Sequence, residues 1–133
     1  MILASADLSD EEFLAALNSG ELKPSQFRHA DHLRLAWLYL HQRPLERAEL
    51  LVRSAIKRIA ERHAVSHLYN ETVTIAWVRL ISTHCEPSFA DFLRENESRL
   101  NLQLLHRFWT PELLTSDRAK REWVAPDRRS LPI

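Results

Sequence analysis

The chain has 133 residues, a length typical of one domain with its own hydrophobic core. Its 18 Lys and Arg residues balance 18 Asp and Glu residues, and this zero formal net charge argues against nucleic acid or an anionic membrane as the main partner. One Gly and six Pro leave little material for hairpin turns, which favours helices. We therefore predict an all-α fold, a single-domain irregular helical bundle of about six helices spanning residues 1–133.

Features that would place the chain in or across a membrane are missing from the sequence. Residues 1–13 lack the basic region and long apolar core of a signal peptide. No run approaches the roughly 18 apolar residues that a membrane-spanning helix needs. The single Cys85 cannot form an intramolecular disulfide. The sequence therefore predicts a cytoplasmic protein without a membrane partner.

The first predicted helix has clear signals at both ends. Ser9 and Glu12 have the spacing of a capping box, in which each side chain binds the backbone N–H of the other residue. Phe13 and Leu17 begin an apolar stripe, and Gly20 suits the left-handed conformation that ends many helices. A short amphipathic helix that ends before Gly20 is therefore expected.

A central helix is predicted at 29–42, because apolar residues occur on most of its faces. Pro44 disfavours the helical conformation for the residue before it, and it suits the first turn of the next helix. The apolar stripe of that next helix runs from Leu45 to His63. The short connection predicts that the two helices are antiparallel neighbours. Asp31 is expected on the solvent side of the central helix.

The second half of the chain is predicted to hold one longer helix and several short ones. The apolar stripe shifts phase within 64–69, and a helix is expected from Glu71 to about Thr83. If that helix extends as far as Cys85, its thiol lies on the apolar face and is expected to be buried and inert. The segment 124–133 contains two prolines and should be extended. Further helix starts are indicated by capping residues: Ser88, Thr110 and Ser116.

The stretches 27–40 and 66–82 are the most informative about function. On helical wheels, His29 falls in line with core residues of the first stretch, and Glu71 falls in line with core residues of the second. Buried polar groups need hydrogen-bond partners, most simply one another. We therefore expect these two stretches to share a buried polar cluster.

A metal site is the sharpest hypothesis for this cluster. His29 and His32 lie one helical turn apart, and His67 and Glu71 have a similar spacing. Two facing helices can present such nitrogen and oxygen ligands to a divalent zinc, iron or manganese ion. An open coordination position would permit hydrolytic chemistry and make the protein a metalloenzyme. The predicted ligands are His29, His32 and Glu71, with His67 as a further candidate.

The same region also suits a small organic ligand. Trp37 can stack on an aromatic group, while Tyr69, Asn70 and Thr74 can form hydrogen bonds with it. These four residues are the predicted lining of a ligand pocket. In this interpretation the protein binds a small molecule between its two central helices.

Two further interpretations stay open at this point. In one, the polar cluster is structural, and Glu71 accepts hydrogen bonds from the histidines to fix the register of the helices. In the other, the chain is a non-catalytic interaction or dimerisation module. Its contact surface, for a partner or for a second copy in a homo-oligomer, would then include the surplus apolar residues Leu35, Leu38 and Trp109.

The remaining polar residues indicate no second site. The tail 118–129 is mildly basic, but acidic residues are interleaved with the basic ones, and we interpret it as a solvated face. His41, His84 and His106 have no partner at helical spacing. They are interpreted as surface or capping residues.

Three motifs resemble a group of small, uncharacterised bacterial proteins. They are F-x-H-x-D-H-L-x-x-A-W-x-Y-L at 27–40, Y-x-E-T-x-T-x-A-W at 69–77 and W-V-x-P-D at 123–127. The resemblance spans most of the chain and implies a compact helical domain, but it supplies no activity. The position after the tyrosine is often histidine in that group and is Asn70 here, which would remove one ligand if that histidine binds a metal.

Overall fold

The computed structural model describes residues 8–23, 25 and 27–133. Within these residues the chain forms seven α-helices and no strand, which confirms the all-α prediction with one helix more than expected. The helices are α1 Asp10–Ser19, α2 His29–Gln42, α3 Leu45–Arg62, α4 Glu71–Ile81, α5 Phe89–Asn96, α6 Pro111–Leu114 and α7 Asp117–Arg121. Short 3-10 helices cover Ser66–Leu68 and Leu102–Arg107.

Backbone contacts divide the chain into two compact units, Met1–Tyr69 and Asn70–Ile133. We call them unit 1 and unit 2 and describe each by itself. The prediction of one domain over 1–133 stays a prediction. Among the helices described, none combines the length and apolar character needed to cross a membrane. The signal-peptide expectation falls partly on residues 1–7, which lie outside the described residues.

Unit 1 follows the helix signals of the sequence closely. The Ser9 hydroxyl accepts a hydrogen bond from the Glu12 N–H at 3.1 Å, and the Glu12 carboxylate accepts one from the Ser9 N–H at 3.0 Å. Gly20 ends α1 with a φ of 79°, where an added Cβ would collide with the Arg62 side chain. Helix α2 begins and ends at the predicted residues, and it packs against α3 as expected from the short connection at Pro44.

The break predicted after α3 is present. Ala64 has a φ of 57°, which lies in the left-handed region of backbone conformations. Residues other than glycine adopt this region rarely. The 3-10 helix Ser66–Leu68 follows at once. The change in apolar phase between 64 and 69 therefore corresponds to a real change in the direction of the backbone.

In unit 2, α4 is a helix despite its β-branched Thr-Val-Thr-Ile segment. Its buried Thr72 hydroxyl donates to the Glu122 carbonyl at 2.8 Å and accepts from the Val124 N–H at 3.2 Å. The indole N–H of Trp109 donates to the Val124 carbonyl at 3.0 Å. These bonds hold the segment that follows α7 against the core of unit 2. As predicted, residues 124–133 contain no helix.

Three predictions about burial are wrong. Asp31 is buried, and its carboxylate accepts a hydrogen bond from the Arg28 N–H at 2.9 Å at the start of α2, which offsets part of the cost of burial. Cys85 is exposed, because α4 ends at Ile81 and the thiol lies in the following loop. The residues proposed as a contact surface are buried in the core, so they form no exposed apolar patch: Leu35, Leu38 and Trp109.

The double role of the Thr72 hydroxyl predicts a measurable loss of stability in Thr72→Val. Valine keeps the shape of the side chain but leaves the Glu122 carbonyl and the Val124 N–H without this partner. We expect the free energy of unfolding to fall by about 1 to 3 kcal/mol in a urea titration. The control is Thr115→Val, which removes an exposed hydroxyl that donates to the Pro111 carbonyl, and which should change stability by less than about 0.5 kcal/mol. Equal effects of both changes would contradict the structural role of Thr72.

Candidate functional site

The predicted histidine ligands lie in the first turn of α2, in unit 1. The ring of His32 is half-buried and stacks on Phe27, with ring centroids 4.1 Å apart. Burial, and to a lesser degree repulsion from the nearby His29, together lower the pKa of the His32 imidazole to about 4. His32 is therefore neutral near pH 7.

Glu71 and Asn70 lie at the start of α4, in unit 2. Glu71 is buried, as the sequence predicted for a polar residue in line with the core. The Asn70 side chain caps α4, because its carbonyl oxygen accepts from the Val73 N–H at 3.0 Å. Its amide group donates to the Leu114 carbonyl at 2.8 Å, and the Thr74 hydroxyl donates to the Asn70 carbonyl at 2.9 Å. Asn70 therefore joins α4 to α6, and Thr74 supports the same helix start.

The other predicted residues belong to unit 1 and have separate surroundings. His67 is exposed on the 3-10 helix Ser66–Leu68. The ammonium group of Lys57 lies 5.3 Å from the ring centre of Tyr69, and the buried Trp37 ring lies 4.2 Å from the ring of His41. Across the residues the structure describes, no group of three or more His, Cys, Asp or Glu side chains is arranged to hold a metal ion. The metal ligand set and the four-residue ligand pocket stay predictions.

A pocket of about 580 Å³ lies within unit 2. This volume is in the range of sites for small organic molecules, roughly 300 to 1,000 Å³. Its apolar wall is formed by α4, the 3-10 helix Leu102–Arg107 and their neighbouring loops. The apolar side chains of this wall are Leu80, Leu100, Leu104 and Phe108. We refer to this cavity as the unit 2 pocket.

The charged residues of the unit 2 pocket are all basic. Arg99, Arg107 and Arg129 line it together with His84, and none of the described lining residues is Asp or Glu. Arg99 donates a hydrogen bond to the side-chain oxygen of Asn96. Within the described part of the chain, the guanidinium groups of Arg107 and Arg129 form no hydrogen bond or ion pair. The pocket therefore has three positive charges and no carboxylate to neutralise them.

His84 is held in place by Glu86. Its Nδ1 atom lies 3.1 Å from Glu86 Oε1, and the Asn96 amide donates to the same oxygen at 3.1 Å. The Asn96 amide also donates to the Phe92 carbonyl at 2.9 Å, and the His84 ring meets the Phe92 ring edge to face at 5.0 Å. These contacts fix the orientation of the imidazole beside the pocket.

Glu86 is the charged partner in this arrangement. Burial acts to raise the pKa of its carboxyl, but hydrogen bonds from its own backbone N–H, His84 and Asn96 outweigh burial, so the pKa lies below its usual range. An ionised carboxylate can only accept hydrogen bonds. His84 Nδ1 therefore carries the proton, and Nε2 is the nitrogen left for a ligand.

The final segment of the chain places Arg129 at the pocket. The Asp127 carboxylate accepts hydrogen bonds from the Thr110 N–H at 2.8 Å and the Thr110 hydroxyl at 2.7 Å. The Arg128 N–H donates to the Phe108 carbonyl at 2.9 Å. The pKa of the Asp127 carboxyl is lowered chiefly by the bonds from Thr110. These hydrogen bonds fix the backbone at Asp127 and Arg128, and Arg129 follows directly in the sequence.

Sequence reasoning did not find this pocket. His84 was expected to be a surface or capping residue, and Arg129 was assigned to a solvated face. The sequence does contain one local signal for this site, because His84 and Glu86 are two residues apart in the loop after α4. The arginines lie at 99, 107 and 129, and this spacing has no helical or strand period that would bring them together.

Comparison of the chain with models of protein families, with curated proteins and with solved structures found no match.

The low pKa of His32 predicts that stability falls on acidification. Between pH 6.5 and pH 4 the unfolded chain binds a proton at His32 that the folded chain does not, so the unfolded state gains stability as the pH falls through this window. The shift from 6.5 to about 4 corresponds to a loss of about 2 to 3 kcal/mol. Urea titrations at several pH values should show this loss in the wild type and much less of it in His32→Gln.

The matched control is His67→Gln, because His67 is exposed and its substitution should leave the pH dependence of stability unchanged. If His32→Gln and the wild type lose the same free energy between pH 6.5 and pH 4, His32 is not the group responsible.

Proposed function

We propose that this protein binds a small organic anion in the unit 2 pocket. The observation that carries the proposal is that three arginines line a cavity whose described lining contains no acidic residue. Such a group of like charges is unfavourable unless solvent or an anion compensates it. A bound anion would relieve the repulsion between Arg99, Arg107 and Arg129.

The composition of the pocket supports an organic ligand over a simple inorganic ion. Guanidinium groups bind carboxylate and phosphate oxygens through paired, parallel hydrogen bonds. The wall formed by Leu80, Leu100 and Phe108 offers apolar contact that an inorganic ion cannot use. A molecule with an anionic head and an apolar body would fill both parts of the cavity.

This proposal keeps the small-molecule class that the sequence indicated but assigns it to different residues. Of the lining predicted from the sequence, Trp37 and Tyr69 belong to unit 1, and Asn70 and Thr74 belong to unit 2. The Asn70 side chain caps α4 and donates to the Leu114 carbonyl, and the Thr74 hydroxyl donates to the Asn70 carbonyl. The unit 2 pocket instead uses side chains from α4, the loops that flank α5, the 3-10 helix Leu102–Arg107 and the segment 124–133.

The proposal predicts that Arg107→Ala weakens binding of small aromatic anions. Benzoate and phenyl phosphate are suitable probes, because each combines one anionic group with an apolar ring. Loss of a charge-assisted hydrogen bond at a partly solvated site should raise the dissociation constant about ten-fold or more. Isothermal titration calorimetry on the full chain measures the change directly.

The control variant is Arg118→Ala, which changes the net charge by the same amount. Arg118 is exposed, pairs with Glu122 at 2.7 Å and does not line the pocket. Its removal should leave the dissociation constants within about two-fold of wild type, since exposed ion pairs contribute little. The proposal fails if the wild type binds neither probe, or if Arg107→Ala and Arg118→Ala have the same effect.

The metal hypothesis has its own test, which does not depend on the pocket. If His29, His32 and Glu71 bind a zinc, iron or manganese ion, protein purified without a histidine tag should contain that metal in stoichiometric amount. Glu71→Ala should then lose it, because one of the three ligands is removed. Elemental analysis of both proteins measures this, and a metal-free wild type that also takes up no added metal would contradict the hypothesis.

A further inference from the structure

The unit 2 pocket contains a histidine beside its fixed positive charges. Arg99, Arg107 and Arg129 can only donate hydrogen bonds, whereas the His84 imidazole can donate or accept one through a ring nitrogen. A ligand that brings two negative charges can use both kinds of group.

The tautomer of His84 determines which nitrogen meets a ligand. Glu86 accepts a hydrogen bond from Nδ1–H, so Nε2 is the nitrogen that can accept or donate a further hydrogen bond. Within the described residues, Nε2 has no hydrogen-bond partner, and it is not among the buried side-chain atoms that lack one. The side chain keeps 20% of its surface exposed. Nε2 is therefore accessible to solvent.

We propose that the unit 2 pocket selects a phosphate monoester with an apolar body, and that His84 Nε2 donates a hydrogen bond to the phosphate dianion. This rests on the proposed function, because it names the class of anion that the same pocket binds. The three guanidinium groups hold the phosphate oxygens, and the apolar wall contacts the body of the ester.

The chemistry of the phosphate group is the reason for this selection. The second pKa of a phosphate monoester is near 6, so the phosphate group is largely a dianion at pH 7.5. Because Glu86 accepts from Nδ1, donation from Nε2 to that dianion requires a proton on both ring nitrogens. Carboxylates and sulfate esters carry only one negative charge at this pH. When Nε2 takes up the proton, Glu86 lies on the other side of the ring and stabilises the imidazolium. The other charged groups at the pocket are Arg99, Arg107 and Arg129, which favour the dianion.

The test compares three probes that differ only in the anionic group: phenyl phosphate, phenyl sulfate and benzoate. Isothermal titration calorimetry at pH 7.5 on the full-length wild type should show phenyl phosphate binding at least about ten-fold more tightly than phenyl sulfate, which has the same tetrahedral shape with one charge less. Measurement in buffers of different ionisation enthalpy should also show proton uptake on binding of phenyl phosphate.

The matched variants are His84→Asn and His67→Asn. An asparagine at 84 retains an amide that can donate to Glu86 in place of Nδ1 but lacks Nε2, so it should lose the proton uptake and reduce the preference for phosphate to about three-fold or less. His67→Asn makes the same chemical change at an exposed residue of unit 1 and should behave as wild type. Circular dichroism establishes that each variant is folded. Glu86→Gln keeps an acceptor oxygen without its charge, and it should decrease proton uptake even if His84→Asn does not fold.

The outcomes separate this inference from the proposed function. If phenyl sulfate binds as tightly as phenyl phosphate, the selection for a dianion is wrong while anion binding by the pocket stands. If the preference and the proton uptake persist in folded His84→Asn, or in Glu86→Gln where His84→Asn is unfolded, His84 does not have the proposed role. If no probe binds the wild type, the proposed function fails and this inference fails with it.

Discussion

The buried hydroxyl of Thr72 is the contact on which the organisation of unit 2 depends. It accepts a hydrogen bond from the Val124 N–H and donates one to the Glu122 carbonyl, so one side chain of α4 satisfies two backbone groups of the segment that follows α7. That segment is not helical and cannot satisfy its own backbone groups locally. With Val124 fixed, the chain continues to Asp127, which binds Thr110, and then to Arg129 at the pocket. The pocket therefore depends on a buried hydroxyl that does not line it.

Most of the helix boundaries could be predicted because they are determined by local chemistry. The Ser9 capping box, the αL glycine at Gly20 and the proline after α2 each act through residues within one helical turn. Burial of Asp31 was not predicted, because a position on the solvent side of α2 fits the helical wheel equally well. The wheel does not show that the Asp31 carboxylate accepts a hydrogen bond from the Arg28 N–H in the first turn of the helix. The exposure of Cys85 follows from a helix end that no Pro or Gly marks in the sequence.

The candidate site was less predictable because it is built by contacts between residues distant in sequence. Asn96 joins Glu86 to the end of α5, and the Phe108 carbonyl joins the 3-10 helix to Arg128. Neither contact has a periodic signature, since both occur between loops and helix ends. The sequence did identify Glu71 as a buried carboxylate, because that prediction needed only the helical period of α4.

The binding strength of the proposed pocket depends on how well its arginine side chains are ordered before a ligand binds. Arg99 already donates to Asn96, which in turn is held by Glu86 and the Phe92 carbonyl, so its guanidinium loses little freedom on binding. Arg107 and Arg129 are exposed and have no such support among the described residues, and ordering each long side chain costs about 0.5 to 1.5 kcal/mol. Two of the three guanidinium groups thus bind at an entropic cost. The pocket should therefore favour ligands whose charge is high enough to offset that cost, which is a further physical reason to expect a dianion.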